Sequence, residues 1–385
     1  MLLALLFFPA IASLTSPKDP VVPARTALAG RTVHLAPVTP FDAHLDGCSR
    51  LRRTRGSLCA IGRHESFWIE GCCETCASHM SVDEPGTVLI DATSWGKHSA
   101  ELRLAKDGTF RIDADLGDGW RPRPLPPELL AYTDPSLGTR SRARACIAGS
   151  GETLVFVADA SIYELEQDAW KRVPIAFSQM PYTGGLNHAL LDGRTLYLGS
   201  DDVLDGGLFD IDLDSGACVS ASTSFPPGPS NVADIERDPR GRICVVCREA
   251  RMIGAGSRVL ERDGRKWREV LRTRVIPLTF VCLNAPPEPE KPLSPAEAAL
   301  LPPAYFDALA FDDEGRMCVL AGSLGILRQD RDGTWSCITP GWAESGAEAC
   351  DLVIDGHTAV LASGTAGVVT LDLDTLEGQR MRTRP

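Results

Sequence analysis

The sequence predicts an all-β fold, a seven-bladed β-propeller of four-stranded antiparallel sheets, on three observations. Residues 306–338, FDALAFDDEGRMCVLAGSLGILRQDRDGTWSCI, read as one complete four-stranded sheet. The turn between the first two strands of such units recurs near Glu65, Gly108, Gly151, Gly193, Gly241, Gly315 and Gly356. Its spacing is 41 to 48 residues with one gap of 74, against a propeller-blade period of about 40–50. Finally, a Trp follows the second hairpin as Trp170, Trp267 and Trp335, where a large ring would wedge between neighbouring sheets. The count is seven blades, or six if Glu65 marks no such turn.

In the 306–338 unit, Leu309 and Phe311 alternate with small or polar neighbours, as a half-buried strand does. Asp312-Asp313-Glu314-Gly315 turns the chain, and Arg316 to Ala321 returns as a nearly all-apolar strand. Gly325 to Gln329 is the third strand, Asp332-Gly333 a hairpin turn, and Thr334 to Ile338 the fourth. At 385 residues the chain would make two or three ordinary domains. A repeat array instead grows as one unit, because each sheet buries its faces only against its neighbours.

From the start, MLLALLFFPAIAS is apolar from Leu2 to Ala12 and carries the small-x-small pattern Ala10-Ile11-Ala12. Residues 1–24 are therefore expected to be a signal peptide and Pro-rich linker, with the protein periplasmic or extracellular in a bacterium. Against export, the n-region has no Lys or Arg, and a stray N-terminal strand is the alternative. The segment is too short to cross a bilayer as a helix, and no later stretch is long and apolar enough. Residues 25–385 are expected to form a single propeller domain. Within it, Ala29 to Val38 is a lone strand placed to complete the last blade.

The repeats follow as AELRLAKDGTFRI (100–112), HALLDGRTLYLG (188–199), ADIERDPRGRICVV (233–246) and CDLVIDGHTAVLAS (350–363). LFDIDLDSGACV (208–219) and VVTLDLDTLEGQ (368–379) supply outer strands without a Trp. The shared pattern is apolar strand, D-x-x-G-R, apolar strand, Gly-apolar, DG-x-W, clearest at Asp312 to Trp335 and Asp238 to Trp267. In this pattern the chain resembles bacterial β-propeller repeat proteins of the two-component-regulator-propeller type, over residues 57–380. The resemblance implies an architecture and no particular activity. Kelch and WD signatures are absent.

The 74-residue gap marks a Pro-rich insertion at 272–305 holding one short helix, with Ser294 as cap, Pro295 in the first turn and Glu297 closing a capping box. Smaller Pro-rich loops lie at 121–135 and 225–230. Loops of this kind either carry binding or merely cap the disc.

Net charge is −12, so phosphate backbones are repelled and no nucleic-acid partner is expected. The basic run Arg50, Arg52, Arg53, Arg55 reads as a solvated loop or a binding patch.

Candidate chemistry gathers at the channel mouth, where the inner strands open with Asn187, His188, Asp234, Asp307 and Asp351. Such a rim could bind a small ligand or hold calcium or another divalent cation, which wants six to eight oxygen ligands. It could supply acid and base from His188, Asp234 and Asp307, or simply line a water-filled channel. A second cluster, Cys73, Cys76 and His79, has metal-ligand spacing, with Cys48, Cys59 or Cys72 as fourth ligand for zinc. Disulfides among these cysteines, in an exported protein, or unpaired thiols are the alternatives. Ala77 stands where a haem attachment motif needs His. Cys244 and Cys247 sit three apart on a strand, facing opposite ways, so they read as buried thiols. Asp210, Asp212 and Asp214 imitate a calcium loop, but Ala221 stands where the EF-hand Glu belongs. No G-x-S-x-G, Walker or H-E-x-x-H motif occurs.

The sequence thus points to a rigid scaffold binding a protein or small ligand through one face and its 272–305 and 121–135 loops. A channel-mouth hydrolase or lyase and a structural module interacting through blade edges are the alternatives.

Overall fold

The computed structural model describes residues 32–36, 38–39 and most of 50–380. Within that span 70–79, 83–87, 127–144, 176–185, 201–206, 250–253, 278–300, 341–348 and shorter gaps of one to four residues lie outside the described residues, as do 40–49 and 381–385. The helix at Ser294 and the cluster Cys73, Cys76, His79 fall there.

Seven four-stranded antiparallel sheets follow one another along the chain, at 50–82, 88–123, 145–172, 186–220, 231–272, 308–340 and 349–380. They are blades 1 to 7, and the described residues contain no α-helix. The first strand of each blade touches the first strands of both neighbours, and the circuit closes from blade 7 back to blade 1. The first strands therefore surround an axis.

The force that closes the ring is burial between sheets. A separate apolar cluster spans every blade-to-blade junction, including Leu51, Leu58 and Ala60 of blade 1 against Val360, Ala362 and Val368 of blade 7. No blade could cover both faces alone, so stacking supplies the hydrophobic stabilisation. Trp170, Trp267 and Trp335 all contribute to these junctions.

The D-x-x-G-R pattern is a turn clasp. Asp312 accepts the amides of Glu314 (3.0 Å) and Arg316 (2.8 Å) and the Arg316 Nε (2.7 Å). Asp238 repeats this with Arg240 and Arg242. Gly241 and Gly315 take the left-handed φ of +82° and +72° that lets the turn close.

Two expectations need correction. Glu65 and Gly108 lie outside the described residues, but the strands flanking them are the second and third of their blades. The first hairpin of blade 2 is instead Trp95–His98, around Gly96. The count of seven stands with the first two blades shifted by one strand. The N-terminal strand does not supply a missing strand either. Thr32–Ala36 lies parallel to Trp335–Pro340 as a fifth strand on blade 6, and Val38–Thr39 lies parallel to Gly378–Arg380 on blade 7. Every blade already has four strands of its own, so this strap joins the outer edges of two adjacent blades.

All connections between blades leave and re-enter on one face of the disc, here the crossover face. The opposite face carries the hairpins joining strands one to two and three to four. The 272–305 insertion is fastened at both ends to blade 5: Gly254–Ala255 pairs with Ile276–Pro277, and Thr273 bridges Leu301. Buried Phe306 donates its amide to Ser257 Oγ at 2.9 Å.

Of the described cysteines, all but Cys350 are buried. Cys59 is fully buried in blade 1, and the cysteines it was grouped with lie outside the described residues. Cys244 and Cys247 belong to the apolar clusters on opposite sides of blade 5, and burial pushes both thiols up to about 12.

Candidate functional site: the axial cavity

A cavity of about 410 Å³ lies on the axis, lined by first strands of all seven blades. Its polar lining depends on a repeated irregularity. In blades 2, 4, 5 and 7 the pairing of the first two strands skips one residue, between Leu89 and Asp91, Leu186 and His188, Val232 and Asp234, and Ala349 and Asp351. A bulge of this kind re-aims the side chains beside it. The residues just past the skips are Asp91, His188, Asp234 and Asp351, and all four line the cavity. Asn187 is itself the skipped residue of blade 4.

Three of the four are blade-to-blade clasps. Asp91 Oδ2 accepts the amide of Ile147 in blade 3 (2.8 Å), Asp234 Oδ2 that of Leu309 in blade 6 (2.7 Å), and Asp351 Oδ2 that of Leu51 in blade 1 (2.8 Å). Their other oxygens are also engaged. Asp234 Oδ1 accepts from the Ile235 amide and lies 3.2 Å from His188 Nδ1. Asp351 Oδ1 accepts from the Leu352 amide, and Asp91 Oδ1 from Arg52 Nε at 3.1 Å.

Arg52 is the hub. It pairs with Asp91 of blade 2 and Asp351 of blade 7, both at 3.1 Å. Burial alone would weaken its charged form, but Asp351 and Asp91 outweigh that and hold its pKa above the usual arginine value. Arg50–Thr54 is thus the first strand of blade 1, not a solvated loop. Arg53 pairs with Asp355 and Arg237 with Asp192, each across a blade junction.

Glu236 stands apart. It lines the cavity and is open to its water. Among the described residues the only donor reaching its carboxylate is the amide of Arg237. Enclosure by the cavity walls, with the nearby Asp234 charge, pushes it up to about 8, against the pull of Arg52. Asp351 is raised too, first by burial and then by Asp234, with Arg52 opposing.

The cavity therefore unites His188, Asp234 and Asp351, but not Asp307. Asp307 precedes its strand in a blade without a skipped residue and pairs with Arg248 at 2.9 Å. Of the candidate acid–base grouping His188, Asp234 and Asp307, the structure brings the first two together and sets Asp307 against Arg248. Backbone amides and Arg52 engage the oxygens of Asp91, Asp234 and Asp351, which leaves few ligands for a calcium ion. Among the described residues no group of three or more His, Cys, Asp or Glu could hold a metal ion. Asp210 and Asp214 pair with Arg262 and Arg194, and Asp212 caps a turn at Ser215, so no calcium loop forms there.

Ring closure, seven sheets and an axial cavity define the class: the chain is a seven-bladed β-propeller. No known protein family and no curated protein matches the sequence. Solved structures match it in fold. YCF48 bound to D1 peptide superposes with a TM-score of 0.50 and 11% identity over 91% of this chain and 100% of that one. The extracellular domain of a hybrid two-component system from B. thetaiotaomicron gives 0.52 and 11% identity, over 87% of this chain and 39% of that one. A Niastella koreensis GH74 enzyme gives 0.58 and 10%, over 88% and 54%. The likeness to two-component-regulator propellers therefore holds for architecture. No helix among the described residues is long and apolar enough to cross a membrane.

Proposed function

We propose that the protein is a rigid binding disc whose partner docks on the crossover face and reaches into the axial cavity. One observation carries this reading: a polar cavity of about 410 Å³ sits on the axis of a wheel braced by carboxylate–amide clasps. Its volume falls in the range of small-ligand pockets. The 272–305 insertion leaves blade 5 and enters blade 6 on the crossover face, and the segment after the blade 2 strand Arg121–Arg123 leaves on that face too, where they can frame a partner. YCF48, a structural neighbour, is described with a bound peptide, which favours a protein segment as the partner class. The extracellular setting of the B. thetaiotaomicron neighbour and the apolar start of the chain favour action outside the cytoplasm.

The test is site-specific photocrosslinking of the full chain in native extract. A photoreactive residue at Thr93 or Ala189 in the cavity is expected to capture one discrete partner. The same residue at Glu152 or Asp332, exposed hairpin positions on the opposite face, is expected to capture none. Crosslinks arising only from the hairpin face overturn the reading.

The second reading, a hydrolase or lyase, rests on His188. Asp234 holds its Nδ1, leaving Nε2 as the ring's available base. Loss of a turnover by His188→Ala at unchanged stability would raise it above the first.

A further inference from the structure

The charges that converge on the axis leave one of them unanswered. Arg53 and Arg237 are matched by Asp355 and Asp192 at the blade junctions. Arg52 faces two carboxylates, Asp91 and Asp351. Among the described residues, Asp234 is hydrogen-bonded by amides and the His188 ring alone. Glu236 follows two positions later on the same strand and has no side-chain hydrogen-bond partner among the described residues. It stands close enough to Asp234, Arg52 and Asp351 to feel each of them. The axis therefore carries more negative than positive charge, and Glu236, whose described donor is a single backbone amide, fronts a cavity with room for a small organic group.

We propose that the axial cavity takes a monovalent organic cation, a primary ammonium or guanidinium group such as a lysine or arginine side chain, with Glu236 as its direct counter-ion. This rests on the docking reading above and gives the chemistry of what enters. A hard divalent ion would need six to eight oxygens, and here most are committed to amides and Arg52. An ammonium or guanidinium needs only two or three acceptors and brings its own apolar stem. Asp234 and Asp351, both mostly buried, add a long-range field inside the cavity, where charge is screened less than on the outer surface. An anionic ligand would meet the same surplus as repulsion, because Arg52 is already shared between two carboxylates.

Binding and proton loss are linked. A cation beside Glu236 favours its ionised form, so affinity rises as pH approaches and passes the raised pKa of the free protein. The charged and titratable groups that share the cavity with it are Asp234 and Arg237 from blade 5, His188 from blade 4, Arg52 and Arg53 from blade 1, Asp91 from blade 2 and Asp351 from blade 7.

The experiment is calorimetric titration of the full chain with n-butylammonium and n-butylguanidinium, with n-butanol and butyrate as uncharged and anionic controls, at pH 6.5 and pH 9. Expected are at least tenfold tighter binding of the cations than of n-butanol, proton release on binding at pH 6.5, and tighter binding at pH 9. Glu236→Gln is expected to remove the cation preference, while Glu152→Gln on the hairpin face leaves it intact. Equal binding of n-butanol, preference for butyrate, or cation binding unchanged in Glu236→Gln overturns the proposal. Should Glu236→Gln fail to fold, the wild-type pH profile decides: cation affinity flat between pH 6.5 and 9 overturns it. Crosslinks from Thr93 or Ala189 without cation binding reject this proposal alone. Cation binding with crosslinks only from the hairpin face rejects the docking reading alone.

Discussion

Asp351 in the last blade accepts the backbone amide of Leu51 in the first, at 2.8 Å and 300 positions apart in the chain. This contact and the Leu51–Val360 apolar cluster close the wheel. The same clasp recurs from Asp91 to Ile147 and from Asp234 to Leu309, so inner-strand carboxylates brace successive blades.

Removing a clasp strands a donor that water reaches poorly. Asp351→Ala is expected to cost about 2–4 kcal/mol, since it leaves both the Leu51 amide and Arg52 short of a partner. Asp351→Asn should cost less, because it keeps an acceptor. Urea denaturation measures both; a loss under about 0.5 kcal/mol for the alanine variant would mean the clasp bears no load.

The turn clasps should behave likewise, locally. Asp312 is buried and satisfies three donors at once. Asp312→Ala should destabilise by about 2–3 kcal/mol, whereas Asp332→Ala in an exposed hairpin should stay within about 1 kcal/mol. Equal losses at the two sites would contradict the assignment.

Glu236 contributes a pH dependence of its own. Its pKa is raised from about 4.3 in an unfolded chain to about 8 in the fold. Between those values the folded state holds the extra proton, so stability falls as pH rises through that window and levels off above it. Glu236→Gln should therefore have a higher Tm than wild type at pH 9, with the advantage shrinking toward pH 4.5. Parallel melting curves of the two proteins across that range would refute this.

Trp95 fixes the junction of blades 2 and 3. Its Nε1 donates to the Gly151 carbonyl at 2.8 Å, and a Cβ on Gly149 would lie 2.3 Å from its ring. Gly149→Ala should destabilise by about 1–3 kcal/mol through overpacking. Adding Trp95→Leu should recover part of the loss, so a double-mutant cycle would return a non-zero coupling. Strict additivity would show that the two do not touch.

Local chemistry made much of the fold legible. The D-x-x-G-R turns at Asp238 and Asp312 and the three junction tryptophans are built from residues close in sequence. Blades 1 and 2 were misregistered because Lys106-Asp107-Gly108 is a stronger turn signal than Trp95-Gly96-Lys97, although Gly96 takes the hairpin's left-handed φ of +56°. The site was legible in part. His188, Asp234 and Asp351 could be read as first-strand polar residues, but the skipped residue that aims each carries no marker. Asp307 looked equivalent and lacks the skip. Arg52 was hidden in a basic run, although Arg50-Leu51-Arg52 alternates as a strand does. Asp91, alone in the apolar run Val88-Leu89-Ile90, was the signal that could have found the fourth position. Glu236 gave none, because its significance comes from charges that only ring closure brings near.

The most direct test is the coupling between Arg52 and Asp351, 299 positions apart and in contact only if blade 7 meets blade 1. In a double-mutant cycle of Arg52→Met and Asp351→Asn, read by urea denaturation, the closed seven-bladed ring predicts a coupling of at least about 1 kcal/mol. A coupling indistinguishable from zero would mean that the two blades do not meet, and the axial cavity would lose its walls.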